Sequence, residues 1–308
     1  MGWLNRVGHE ERVTLSARCL VGRAAHCALR PSDPRVSGEH ATVVWVGDHW
    51  EIRDLGSRNG TFVNGVRLPT GATRSLSEAD AIGFGEPDQG WALVDAGPPL
   101  AAARRLDGAD PVVVAQCGLL AFPSPDEAHA TVYQDLHGGW VAEVDDGPGP
   151  VADGDVLTVN GAAWMLHLPT AIDPTFDAEE QTPVIDTLEL RFSISSDEEH
   201  VEMALRRGGQ WDVIGARAHH YLLLLLARAR LEDAARPDVA MTEHGWRYVE
   251  DVCRMLQIDD LRLNTEIYRA RKELSASGVL GAPRLVERRR SSRSLRIGTA
   301  AVHVGSAD

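Results

Sequence analysis

The chain lacks any apolar run long enough to cross a bilayer. Its most apolar stretch, Tyr221 to Ala227, falls far short of the roughly 20 residues that a spanning helix needs. The opening Met1-Gly2-Trp3-Leu4-Asn5-Arg6 has neither the apolar core of a secretory signal nor the Ser or Thr at position six that N-myristoylation prefers. Cysteine is scarce. Cys19, Cys27, Cys117 and Cys253 lie far apart without paired metal-ligand spacing, so a reduced, cytoplasmic chain with no metal is expected. His219-His220 likewise lack ligand spacing and read as structural. No Gly-rich loop precedes Lys-Ser/Thr and no nucleophile elbow is apparent, which argues against an enzyme and against a cofactor. Basic charge is also in deficit: the net charge is −14, against general nucleic-acid stickiness but compatible with a local basic face.

What is present suits a multidomain globular protein. A length of 308 residues accommodates two or three domains, and 44% hydrophobic with 25% charged residues allows each a core. The most informative stretch is residues 22–65. It holds Gly22-Arg23, then Ser37-Gly38-Glu39-His40, then Asp54-Leu55-Gly56-Ser57-Arg58-Asn59-Gly60-Thr61, and then Asn64-Gly65. Alternating segments such as Ala41-Thr42-Val43-Val44-Trp45 and Trp50-Glu51-Ile52 separate these motifs and predict strands, with the Asn-Gly pairs as tight turns. Loops at one end of a β-sandwich then bring together an Arg, a Ser hydroxyl, an Asn amide and Gly-exposed N–H groups. That donor set suits a phosphate dianion. Taken singly, each residue has an ordinary reading as hairpin turn, surface charge or half-buried histidine. Their joint order and spacing favour a site.

This pattern resembles the forkhead-associated (FHA) domain, a phosphothreonine-binding module, from about Leu20 to about Val94. The resemblance implies an all-β FHA sandwich over residues 1–96. It also implies phosphate contacts from Arg23 and Ser37, and a phosphopeptide held by Arg58 and Asn59. His40 is then expected to brace the loop carrying Ser37, and Asn64 to order the next turn or touch the peptide backbone. Gly38 departs from the larger polar side chain frequent after the serine, which removes one contact.

Residues 96–111, rich in Ala, Gly and Pro, read as a linker, and a β-rich segment follows over 111–169. There His129-Ala130-Thr131-Val132 echoes His40-Ala41-Thr42-Val43. Asp153-Gly154-Asp155 leading to Trp164-Met165-Leu166 echoes Glu78-Ala79-Asp80 leading to Trp91-Ala92-Leu93. The segment reads as a degenerate FHA copy without a phosphate site, since it has no matching Arg or Ser-x-x-His and Asp145-Asp146 repel phosphate. The rival readings are an unrelated small β-domain or extra strands on the first sandwich. Residues 170–184 form an acidic linker with Asp177, Glu179 and Glu180, and with Thr175 and Thr182 as candidate phosphorylation sites.

Residues 185–308 change character. Strands are predicted at Leu188–Ile194 and Val201–Leu205, with a turn at Gly208-Gly209. Helices follow over about Arg217–Ala235, Trp246–Leu256 and Arg262–Ser275, and a basic hairpin begins at Arg284. Strands, three helices and a basic hairpin make an α+β winged helix-turn-helix. The segment Leu263 to Leu274 resembles the recognition helix of response-regulator output domains, through Ile267, Arg269, Arg271, Lys272 and Leu274. Between Arg262 and Arg296 the net charge is about +7. The candidate DNA contacts are Asn264, Tyr268, Arg269, Arg271 and Lys272 on the helix, with Arg288, Arg289, Arg290 and Arg293 on the wing.

Together these features point to a phosphothreonine-dependent transcriptional regulator. The expected partners are a phosphothreonine protein (a Ser/Thr kinase or its substrate) and double-stranded DNA, with no membrane and with room for a homodimer. The competing reading is a phosphothreonine adaptor that uses its winged helix to dock proteins rather than DNA.

Overall fold

The computed structural model describes residues 2–87, 90–107, 112–144, 147–169, 183–195 and 200–306. Asp145-Asp146, Thr175, Asp177, Glu179, Glu180 and Thr182 lie outside them. No described helix is long and apolar enough to cross a membrane. The chain divides into two compact units, one of residues 1–102 with 167–172, the other of 103–166 with 173–308.

The first unit is a β-sandwich. One sheet has six strands in the order Arg12–Thr14, Trp3–Arg6, Gly90–Asp95, Ala81–Phe84, Thr61–Val63, Val66–Arg67. The other has four, Arg18–Val21, Ala41–Val46, His49–Asp54, Thr73–Leu76. Alternation explains the core: Val43, Trp50 and Ile52 from the second sheet and Leu4, Ile82 and Leu93 from the first are fully buried. The long connection 22–40 leads into Ala41–Val46 and the loop 55–60 leaves His49–Asp54, its antiparallel partner. Since Ala41 pairs with Asp54, both loops leave the same end of the sandwich.

The second unit begins with two four-stranded sheets. Their orders are Val112–Val114, Ala102–Arg105, Ala162–His167, Val156–Val159, and Leu120–Ser124, Glu127–Gln134, Trp140–Val144, Gly147–Pro150. Phe122 of one meets Trp164 of the other edge-on at 5.5 Å. These orders repeat those of the first unit without its Thr61–Arg67 hairpin. One turn is repeated bond for bond. Asp80 accepts from Ser77 N at 2.9 Å while Leu93 N bonds Asp80 O at 3.0 Å; Asp155 accepts from Ala152 N at 2.8 Å while Leu166 N bonds Asp155 O at 2.8 Å. The linker expected over 96–111 is therefore corrected, because Ala102–Arg105 is already a strand of this sheet.

The remainder carries three α-helices, α1 (His220–Ala234), α2 (Val249–Leu256) and α3 (Asp260–Ala276). A sheet of Gln210–Ala216, Val201–Arg207, Glu189–Ile194 and Ala301–Ser306 precedes and closes the region, and Val286–Arg289 pairs with Ser294–Ile297 in a hairpin. In α1, Leu222, Leu223, Leu224 and Leu226 are buried and Leu225 is partly so. Asp259 caps α3 by accepting from Arg262 N at 2.7 Å. The second helix begins later than the sequence predicts, because Arg247 and Tyr248 pair instead with Leu295 and Ser294.

Candidate phosphate-binding site and basic face

The loops at the end of the first sandwich are tied before any ligand arrives. Gly22 permits the closest approach: a Cβ there would meet Gly38 O at 2.1 Å. Arg23 N and Ala24 N donate to Ser37 O and Gly38 O at 3.0 and 2.9 Å, and Arg23 Nε donates to Val36 O at 2.5 Å. Buried His40 is the brace. Ser37 N donates to its Nδ1 at 2.9 Å, so the ring proton sits on Nε2, which donates to Gly60 O at 3.1 Å. Burial holds His40 below the usual histidine range, keeping it neutral for this double role.

Asp54 orders the second loop. Its Oδ1 accepts from Gly56 N and Ser57 N, and its Oδ2 from the hydroxyls of Ser57 and Thr61, at 2.6 to 3.0 Å. Burial opposes the charge, but those bonds outweigh it and hold the carboxyl below its usual value. Ser37 Oγ accepts from Arg58 N at 3.1 Å and Asn59 Nδ2 donates to Arg35 O at 2.7 Å, so the two loops are sewn together. Arg23 and Arg58 are exposed, and among the described residues neither has an acidic partner. Two exposed arginines thus stand on the loops that meet at Ser37, Arg23 through its backbone bond to Ser37 O and Arg58 through its backbone bond to Ser37 Oγ. Gly38 is exposed, with open space where a side chain would stand.

The FHA domain model matches residues 19–85. The first unit carries an FHA domain. FHA domain-containing protein FhaB of Mycobacterium tuberculosis is 34% identical over 73 residues, covering 23% of this chain and 47% of that protein. The match thus spans about half the length of the curated relative. A solved FHA structure described by its phosphothreonine-dependent interactions is 24% identical, over 30% of this chain and 95% of the other, with a TM-score of 0.28. Mycobacterium tuberculosis EmbR in complex with a low-affinity phosphopeptide is 23% identical, over 32% of this chain and 25% of that one, with a TM-score of 0.29.

Within the FHA domain, Arg23, Ser37, Arg58, Asn59 and His40 come together. Asn64 is engaged in its own turn. Its Nδ2 donates to Asp80 Oδ1 at 2.6 Å and its Oδ1 accepts from Ala81 N at 2.9 Å, with φ at 52°. Both ends of the amide are used in ordering the turn.

The candidate DNA residues in the second unit have a different fate. Tyr268 is 1% exposed, in an apolar cluster with Leu119, Ala121, Ala128 and Tyr133, and burial pushes its hydroxyl up to about 12. Arg271 is 2% exposed; it donates to Glu143 Oε2 at 2.6 Å and to Val286 O at 2.6 Å. Arg288 Nε lies 2.7 Å from Glu143 Oε1, and its Nη2 donates to Asn264 Oδ1. Burial opposes the Glu143 charge, but Arg271 and then Arg288 hold the carboxyl below its usual value. Arg269 pairs with Asp126 at 3.3 Å and Lys272 donates to Gln116 Oε1 at 2.5 Å. Arg289 pairs with Glu243 at 2.8 Å and Arg293 with Asp260 at 3.1 Å. The expectation that Tyr268 and Arg271 face outward is corrected: the middle sandwich covers them. Arg288, Arg289, Arg290 and Arg293 still line an open groove of about 640 Å³ with Asn264 and Ser294.

Sequence reading missed Glu273. His219 Nε2 and His220 Nε2 lie 2.8 and 2.7 Å from its Oε2, while His220 Nδ1 faces Val201 O at 3.2 Å. Burial opposes its charge, but the two imidazoles hold this carboxyl down at about 2. Among the described residues, this is the His/carboxylate set compact enough to share a cation. Both rings bond one oxygen, with Arg217 at 3.7 Å from the other, and the cluster ties the start of α1 to the end of α3.

Proposed function

We propose that this chain is a phosphothreonine-reading signalling protein whose output is duplex DNA binding. It acts by binding rather than by catalysis. Arg23 and Arg58 take the phosphate oxygens by charge-assisted bonds, Ser37 Oγ donates a third, and Asn59 keeps the two loops at the spacing the peptide needs. The observation that carries the reading is the placing of two exposed arginines, Arg23 and Arg58, on loops that meet at Ser37 and are already fixed by His40 and Asp54. Preorganisation of this kind lowers the ordering cost of binding. Calorimetry with a phosphothreonine peptide library tests it: binding to phosphorylated but not unphosphorylated peptides is expected, and equal binding to both would overturn it.

For the second unit, the order of strands, three helices and basic hairpin supports a winged helix, and its basic hairpin supports DNA as partner. A second reading, docking of proteins instead of DNA, is favoured by the burial of Tyr268 and Arg271. Mobility of duplex fragments from the surrounding genome, at low salt, discriminates the two.

A further inference from the structure

We propose that the middle sandwich is an internal stand-in for DNA: it occupies the face of α3 with oxygen acceptors, and a duplex must displace it. The proposal rests on the reading that the second unit binds duplex DNA.

The contacts are specific in kind. Strand Glu127–Gln134 runs against α3, and Thr265 Oγ1 accepts from Ala128 N at 3.3 Å. Around this backbone contact, Arg269 meets the Asp126 carboxylate, Arg271 and Arg288 meet the Glu143 carboxylate, and Lys272 meets the Gln116 amide oxygen. Phosphate oxygens and the acceptor edge of guanine offer Arg and Lys the same chemistry. Four cations of this face are therefore already engaged by one segment of the same chain.

The charge balance makes the cover displaceable. At its buried centre two guanidinium groups share one carboxylate, which leaves an excess of positive charge. Burial pushes the Arg288 guanidinium down, Glu143 opposes that, and Arg271 beside it adds to it. Arg288 also borders the open groove, lined by Asp260 as well as by the other arginines, so an anion entering there meets a cation that shares its buried counter-charge with Arg271. A phosphate in the groove competes with Glu143 for Arg288 and weakens the seal over Arg271. An interface built for permanence would do better with apolar groups of similar volume in place of buried charges.

The test uses the full chain and two readouts. Lys272 is the chain's single lysine, so the rate at which an amine reagent labels it, read by mass spectrometry, reports opening without DNA. Anisotropy of a labelled mixed-sequence duplex at low salt reports binding. Glu143→Gln should speed labelling and raise duplex affinity at least tenfold. Asp126→Asn combined with Gln116→Ala, which alters only the rim, should do both more weakly, by roughly threefold in affinity. Faster labelling with a measurable but unchanged affinity would overturn the cover while leaving DNA binding intact. Faster labelling with no duplex bound by any form would overturn the DNA reading and the cover with it. Labelling of the wild-type chain as fast as that of the variants would show the face already open, and the proposal would fall. Should Glu143→Gln lose its near-ultraviolet circular dichroism, the rim variant decides on the same criteria.

Discussion

Two sandwiches in this chain share strand order, and they share the turn built on Asp80 in one and Asp155 in the other. They differ in what leaves the strands. In the FHA domain, residues 22–40 connect Val21 to Ala41 and carry Arg23, Ser37 and His40. In the middle sandwich only Pro125-Asp126 connect Ser124 to Glu127. Among the described residues the Thr61–Arg67 hairpin has no counterpart either. The β scaffold is thus held by apolar alternation and a few turn bonds, and ligand chemistry sits entirely on the connections. Without such loops, the middle sandwich packs through its sheet instead, with Glu143 and Tyr133 turned toward α3.

The sharpest way to break that contrast is at Glu143. Glu143→Ala leaves Arg271, which is 2% exposed, without its counter-ion, so unfolding of the second unit should become easier by roughly 3–5 kcal/mol. Urea denaturation of the full chain, followed by tryptophan fluorescence, measures it. A loss below about 1 kcal/mol, the scale of an exposed pair, would mean that the pair is solvated and the sheet face is not sealed.

The corresponding experiment on the FHA domain is Arg23→Ala. Here the loss falls on binding and not on folding, because Arg23 is exposed and, among the described residues, its side chain bonds a single backbone oxygen, Val36 O. Removing a charge-assisted bond costs roughly 1.5–3 kcal/mol, about ten- to a hundredfold in phosphothreonine peptide affinity. Calorimetry on the variant with an unchanged melting temperature is the expected result. Unchanged affinity would remove Arg23 from the site.

The loop arrangement of the candidate site was legible because its residues are close in sequence and each motif has a local mechanism: a Gly for a close approach, a Ser-x-x-His for a brace, Asn-Gly for a turn. The element order of the C-terminal region was legible from periodicity, down to the five leucines of α1. What escaped is long-range pairing. Nothing local joins Glu143 to Arg271, or His219 and His220 to Glu273, and a buried arginine looks like a DNA-binding one when its partner lies in another module. One signal was available. Asn264, Tyr268 and Arg271 share one face of α3, and an aromatic ring in the middle of a supposed solvent face marks a covered surface. Asn64 was ambiguous for a different reason: an amide that orders a turn and one that touches a peptide have the same sequence signature.

A smaller effect should appear in the first sandwich as pH falls below neutrality. Burial lowers the His40 pKa below the ordinary 6.5, so the folded loops favour neutral imidazole more than the unfolded chain does. The stability His40 contributes is fully present above the unfolded value and is lost as pH falls through the folded one. Protonation places a hydrogen on Nδ1, where Ser37 N–H already donates, and so breaks the brace. The FHA domain should therefore loosen below about pH 6.5, with peptide affinity falling in step. His40→Gln should flatten this part of the pH profile. A profile identical to wild type would place the titration on another group.

The smallest expected effect distinguishes turn order from ligand contact. Asn64 holds φ at 52°, a region glycine enters freely, so Asn64→Gly removes the amide bonds to Asp80 and Ala81 without backbone strain. The side chain is exposed, and water can replace its partners, so stability should fall by only about 0.5–1.5 kcal/mol. Peptide affinity should stay within roughly threefold of wild type, a difference below 1 kcal/mol, because no atom of the amide is left to reach a ligand. Calorimetry at matched fraction folded makes the comparison clean. A loss of affinity as large as that of Arg23→Ala, with stability unchanged, would mean that the amide exchanges Asp80 for the peptide backbone on binding. The turn would then belong to the recognition surface, and the hairpin absent from the middle sandwich would be a lost contact as well as a lost scaffold element.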